Sequence, residues 1–119
     1  MTLLLASQTE KLLKQGRATA QALAEGRDQP DHKPVVKLFT PDGGCTWLLS
    51  ELDPDEPDIA FGLCDLGMGC PELGSVRLSE LKRIRGRFGL PVERDRHFRA
   101  DKPLIAYARD AWDAGSILA

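Results

Sequence analysis

Apolar residues recur at helical spacing near the start of the chain, between residues that favour helix ends. The run from Ser7 to Glu10 has the form of a capping box, in which a Ser hydroxyl and a Glu carboxylate satisfy free amides of a first helical turn. Gly26 is placed to end the helix. The spacing therefore predicts an amphipathic helix over residues 7–26. Its apolar stripe consists of Leu12, Leu13, Ala20 and Leu23.

Residues 34–78 carry apolar runs, partly β-branched or aromatic, that turn residues separate. This pattern is typical of an antiparallel sheet. The turn 41–44 predicts a first hairpin in which Thr40 faces Cys45. The further pairs of this hairpin are Leu38 with Trp47 and Val36 with Leu49.

An acidic connection with prolines, residues 53–58, leads from the second run to the third. We predict a second hairpin in which Asp53 faces Ile59, because this register places large apolar side chains on one face. The glycine-rich turn 67–71 leads to a fourth strand over residues 74–78. The pairs of the second hairpin are then Glu51 with Phe61, Leu49 with Leu63, and Trp47 with Asp65.

The rest of the chain, residues 79–119, mixes helical and extended patterns. Ser79 is placed to cap a short helix that runs to Phe88. Residues 90–94 predict an edge strand, since Pro91 removes a hydrogen-bond donor from the ladder. A last helix is predicted after Pro103.

Together these elements predict a single α+β domain over residues 1–119. Its antiparallel sheet of four or five strands would pack against the N-terminal and C-terminal helices. A chain of 119 residues can bury such a core without disulfides. The predicted core joins Trp47, Leu49, Phe61 and Leu63 of the sheet to Leu12, Leu23, Leu104 and Trp112 of the helices.

The composition is that of an ordinary globular protein, with 42% hydrophobic and 29% charged residues. No apolar run is long enough to span a bilayer, and none has the form of a signal peptide. Cys45 and Cys64 lie in apolar runs, which is typical of buried thiols in a reducing compartment. We therefore predict a cytoplasmic protein without a membrane partner, and no motif calls for a cofactor.

Charge is distributed unevenly along the chain. Residues 41–73 contain acids but no Lys or Arg, whereas bases outnumber acids in residues 74–102. Within the basic part, the segment 82–99 interleaves arginines with aromatic residues. Guanidinium groups neutralise phosphates and aromatic rings stack on unpaired bases, so the segment predicts contact with nucleic acid or a host protein. The candidate binding residues are Arg85, Arg87, Arg94, Arg96, His97, Phe98 and Arg99.

Three alternatives compete with this interpretation. The first is that the aromatic residues belong to the core and the arginines pair with the acidic half of the molecule. The second is a metal-dependent hydrolase or nuclease that uses Glu51, Asp65 and Glu72. The predicted register opposes it, because it separates Glu51 from Asp65 by about 13 Å. The third is an acidic DNA mimic that inhibits a host enzyme through residues 51–58.

Five sequence blocks carry a resemblance to a known family. They are PVVKLFTP (34–41), TWLLSELDP (46–54), AFGLCDLGMG (60–69), PELGSVRLSEL (71–81) and GLPVERD (89–95). With these blocks the chain resembles a small bacterial family of unknown function that is associated with plasmids and conjugative or integrative elements. The resemblance implies an accessory gene and brings no catalytic residue with it. The leading hypothesis is therefore a non-enzymatic binding protein of a mobile genetic element.

Overall fold

The structure is a computed structural model that describes residues 3–119. Three helices and five strands lie within these described residues. The helices are α1 (Ala6–Ala24), α2 (Leu78–Leu81) and α3 (Leu104–Ala114). The strands are β1 (Val36–Phe39), β2 (Thr46–Leu52), β3 (Ile59–Asp65), β4 (Glu72–Arg77) and β5 (Glu93–Arg94).

The strands form one antiparallel sheet in the order β4-β3-β2-β1-β5. This confirms the predicted α+β class and the predicted sheet of four to five strands. The first hairpin has the predicted register, with Leu38 opposite Trp47. The turn determines this register because Thr40 closes it, donating its amide to the Cys45 carbonyl at 3.0 Å.

The predicted register of the second hairpin is correct next to the acidic connection and wrong beyond Ser50. Glu51 faces Phe61, and Asp53 donates its amide to the Ile59 carbonyl at 2.9 Å, but a β-bulge at Ser50 shifts the pairs from Leu49 onward by one residue. The unpaired backbone of Ser50 is satisfied from outside the sheet, since the Gln15 side chain donates to the Ser50 carbonyl. The observed pairs are Leu49 with Gly62, Leu48 with Leu63, Trp47 with Cys64, and Thr46 with Asp65.

The bulge explains why the predicted single core is also wrong. A shift by one residue moves Leu63 to the opposite face of the sheet, and the structure has two hydrophobic clusters. One contains Leu12 of α1 with Trp47 and Leu49. The other contains α3 with Leu48 and Leu63. The two long helices therefore cover opposite faces, and the predicted core residues Leu23 and Trp112 are 58% and 51% exposed.

Helix α1 lies very close to the end of β2. A Cβ at Gly16 would overlap the Leu52 carbonyl oxygen, so only glycine permits this approach. The helix also begins earlier than the capping pattern predicts. Its first free amide, that of Leu5, donates to Gln8 Oε1 at 2.9 Å, and Ser7 lies inside the first turn.

The segment between β4 and α3 contains less regular structure than predicted. The short helix ends at Leu81 rather than Phe88, and Ser79 donates its amide and hydroxyl to Asp58 instead of capping the helix. The predicted edge strand is reduced to β5 and an isolated bridge between Arg85 and Pro91. A mostly irregular segment therefore borders β1. No helix within residues 3–119 is long and apolar enough to cross a membrane.

Candidate nucleic-acid interface

The segment before β5 folds back on itself in a tight turn at residues 86–89. Gly86 donates its amide to the Leu90 carbonyl at 2.9 Å, and Gly89 donates to the Gly86 carbonyl at 3.0 Å. Gly89 has a φ of 83°, which other residues rarely adopt. The turn places Arg87 and Phe88 at its tip, where the Phe88 side chain is 80% exposed.

A carboxylate from the first hairpin holds this turn in place. Asp42 Oδ2 accepts hydrogen bonds from the backbone amides of Phe88 at 2.6 Å and Leu90 at 3.3 Å. A Cβ at Gly86 would overlap this carboxylate, so glycine is required for the contact. No sequence pattern predicts this contact, because Asp42 and Phe88 lie 46 residues apart.

A second group of basic residues follows β5. The backbone of Asp95 still follows β1, since its amide donates to the Lys37 carbonyl at 2.9 Å. The amide of His97 donates to Asp95 Oδ1 at 2.8 Å, and this bond, reinforced by Lys37, lowers the pKa of Asp95. The side chains of Arg96, His97 and Arg99 are exposed.

Two of the candidate binding residues point inward instead. The Arg94 guanidinium donates to the Leu3 carbonyl at 2.8 Å and so ties the start of the chain to the sheet. Phe98 is half-buried and packs on Tyr107, with ring centroids 6.3 Å apart. Arg94 and Phe98 therefore have structural contacts that explain them.

The remaining candidate arginines do not pair with the acidic half of the molecule within residues 3–119, although Arg85 donates to the backbone carbonyls of Lys82 and Ile84, both at 2.9 Å. In the acidic connection, Glu56 and Asp58 form ion pairs with Arg77, at 3.0 and 3.7 Å. Among the described residues, no acid lies within ion-pair distance of the four exposed candidate arginines before and after β5. We call these exposed side chains, Arg85, Arg87, Arg96 and Arg99, the basic strip.

The three acids of the proposed metal site are not brought together. Asp65 is buried and uses both carboxylate oxygens on the backbone, accepting from Gly67 at 2.8 Å and Ile117 at 3.0 Å. Glu72 is exposed on β4. Glu51 lies at the other end of β2 from Thr46, the partner of Asp65. Among the described residues, no group of three or more His, Cys, Asp or Glu side chains has the arrangement of a metal site.

Glu51 nevertheless has an unusual environment. It is 9% exposed, and the Thr19 hydroxyl donates to its Oε1 at 3.0 Å. Burial raises the pKa of Glu51, while the Thr19 hydrogen bond and the nearby His32 oppose this shift. The Cys64 thiol is not activated as a nucleophile, since burial and Glu72 raise its pKa to about 11.

These features define a small α+β protein with a basic border along one edge of its sheet. The chain belongs to the family described as Protein of unknown function (DUF2958), whose sequence model matches residues 3–118. No curated protein and no solved structure matches the chain significantly.

Proposed function

We propose that this protein binds single-stranded nucleic acid along the β5 edge of its sheet. In this proposal the phosphates lie on the basic strip and an unpaired base stacks on Phe88. The observation that carries the proposal is the 80% exposure of Phe88 on a turn that Asp42 fixes, between arginines without acidic partners.

The fixed turn distinguishes Phe88 from an ordinary exposed apolar residue. A single apolar side chain on a surface needs no functional explanation. Here two amide hydrogen bonds to Asp42 hold the backbone that carries the ring, so less conformational entropy is lost when a base stacks on it. The neighbouring Arg87 supplies a cation for the phosphate beside that base.

The length of the basic strip suits an extended strand. Arg85 and Arg87 precede β5 and Arg96 and Arg99 follow it, so the two pairs lie towards opposite ends of this edge. The contacts of this segment run along β1 from Lys37 to Phe39 and continue to Asp42 in the adjoining turn. The strip therefore follows the whole of this edge, as binding an extended strand requires.

Substituting Phe88 tests the stacking contact. We expect Phe88→Ala to weaken the binding of a labelled single-stranded oligonucleotide by between about fivefold and a hundredfold, the usual effect of losing one stacked base. Phe88→Trp keeps an aromatic face and should retain the affinity. Fluorescence anisotropy at low salt measures both effects.

Met68→Ala is the matched control, because Met68 is 72% exposed and lies outside the β5 edge. It should bind as the wild type does. The stacking contact is refuted if Phe88→Ala and Met68→Ala bind equally well, and equal affinity for a duplex of the same length would also count against it.

Three further proposals concern the biological role of the protein and the kind of partner it binds. The protein would act as a non-enzymatic accessory protein of a mobile genetic element, in a bacterial cytoplasm. A host protein in place of nucleic acid would use the same exposed residues, and its binding would not depend on phosphate. An acidic DNA mimic would use residues 51–58 instead, where Arg77 already neutralises part of the charge.

A further inference from the structure

A groove separate from the basic strip surrounds the buried carboxylate of Glu51. It consists of two adjoining cavities of about 250 and 190 Å³, which share Gln29, Glu51 and Phe61 in their walls. The connection between α1 and β1 forms one side. It is pinned to the start of α3, since Leu104 donates its amide to the His32 carbonyl at 2.9 Å.

The polar groups in this groove form an ordered chain. The Thr19 hydroxyl donates its one hydrogen to Glu51 Oε1, and Thr19 Oγ1 lies 3.0 Å from His32 Nε2. Because that hydrogen is already used, His32 must donate through Nε2 for both hydrogen bonds to exist. Glu51 is therefore the last acceptor in this series of hydrogen bonds, a role that suits an ionised carboxylate because it can only accept.

One half of the Glu51 carboxylate has no protein partner. Among the described residues, Oε2 accepts no hydrogen bond, and no Lys or Arg forms an ion pair with Glu51. Buried carboxylates are ordinarily paired with a cation. Asp53 in the same wall adds further negative charge.

The remaining walls are apolar. Leu23 and Ile59 line one cavity, Leu73 and Ile105 line the other, and the Phe61 ring belongs to both. Such walls suit an alkyl chain, and an aromatic ring adds attraction for a nearby cation.

We propose that this groove binds a small organic cation, an ammonium or guanidinium group on a short aliphatic chain. The cation would pair with Glu51 Oε2, and the chain would lie along the apolar walls. The site uses none of the residues of the basic strip. A negative result for cation binding would therefore leave the nucleic-acid proposal untouched, and the reverse also holds.

The test is a titration with n-pentylammonium, followed by amide chemical shifts in two-dimensional NMR spectra of the full chain. We expect saturable shifts at Gln29, His32, Glu51 and Phe61. The neutral 1-pentanol, with the same chain, should bind at least tenfold more weakly, and Glu51→Gln should weaken pentylammonium binding at least tenfold. Glu56→Gln removes an exposed acid outside the groove and should leave the binding unchanged.

Three results would overturn the proposal. The first is the absence of saturable shifts at these amides into the high-millimolar range. The second is equal binding of 1-pentanol, which would identify an apolar cavity without charge recognition. The third is unchanged pentylammonium binding by a folded Glu51→Gln variant.

Discussion

Burial of the Glu51 carboxylate opposes the stability of the fold. It raises the pKa of Glu51 and so favours the protonated form, and the Thr19 hydrogen bond and the nearby His32 offset only part of that preference. At neutral pH the ionised carboxylate therefore costs free energy. Groups that reduce stability in this way are concentrated at functional sites.

Replacing Glu51 by glutamine should raise the free energy of unfolding at neutral pH, by on the order of 1 kcal/mol. The folded pKa of Glu51 is raised above its ordinary value of 4.5, so the native state holds the proton more tightly than the unfolded chain. Wild-type stability consequently falls, relative to Glu51→Gln, as the pH rises from 4.5 through the folded pKa. Urea unfolding of both proteins across this pH range measures the difference.

Asp58 provides a control of opposite sign. Its hydrogen bonds from the Ser79 hydroxyl and amide lower its pKa, so its ionised form stabilises the fold. Asp58→Asn should therefore lower stability at neutral pH, with the effect lost as the pH falls through the folded pKa. If Glu51→Gln behaved like Asp58→Asn, the description of Glu51 as a destabilising carboxylate would be wrong.

At the residue scale the sequence identifies the candidate binding residues but does not predict which of them are exposed. Phe88 and Phe98 stand in the same basic segment with similar neighbours, yet one is 80% exposed and the other packs on Tyr107. The environment of Phe88 depends on Asp42, which lies 46 residues away, and that of Phe98 depends on how α3 packs on the sheet. The hydrogen bond of Glu51 cannot be predicted from the sequence either, because its partner Thr19 lies 32 residues away.

Among the elements, the turn 86–89 depends on the first hairpin for its conformation. Its two internal hydrogen bonds leave the amides of Phe88 and Leu90 to be satisfied by Asp42. An exposed turn with glycines at both ends would otherwise be mobile. Asp42 of the first hairpin thus positions the turn 86–89, which carries Arg87 and Phe88.

Asp42→Ala separates positioning from net charge. Removing a negative charge beside the basic strip should by itself strengthen the binding of nucleic acid. If the fixed turn matters, the affinity for a single-stranded oligonucleotide should instead fall about threefold to tenfold, because the turn must be ordered on binding. Anisotropy titration measures the sign directly.

Asp55→Ala is the matched variant, since it removes an equal charge from the exposed acidic connection. Its affinity should stay equal to that of the wild type or rise slightly. An increase in affinity for Asp42→Ala as large as that for Asp55→Ala, or larger, would contradict the role given to the turn.

At this scale the sequence predicts most of the elements and the pairing of consecutive strands in hairpins, but not the position of β5 beside β1 or the layers. The turn after Thr40 determines the first register, whereas the bulge at Ser50 depends on Gln15 of α1. One signal was available: the apolar run Trp47–Leu49 is continuous, as in strands that are covered on both faces. Alternation along β1 suggested a single core face instead.

The whole molecule separates its charges rather than cancelling them. The acidic connection after β2 pairs with Arg77, which leaves the basic strip along β5 open to solvent. With a net charge of −2, the chain as a whole would not attract nucleic acid. The local excess of arginines at one edge therefore determines whether it binds.

The salt dependence of binding reveals whether the arginines of the basic strip neutralise phosphates. For single strands the logarithm of the affinity falls with that of the salt concentration by about 0.7 per neutralised phosphate. Four contacts from the basic strip predict a slope near −3, and the combined Arg87→Ala, Arg96→Ala and Arg99→Ala variant should reduce its magnitude by about 2. Arg17→Ala on α1 should leave the slope unchanged. The account is contradicted if the wild type fails to bind at low salt, or if the triple variant keeps the wild-type slope.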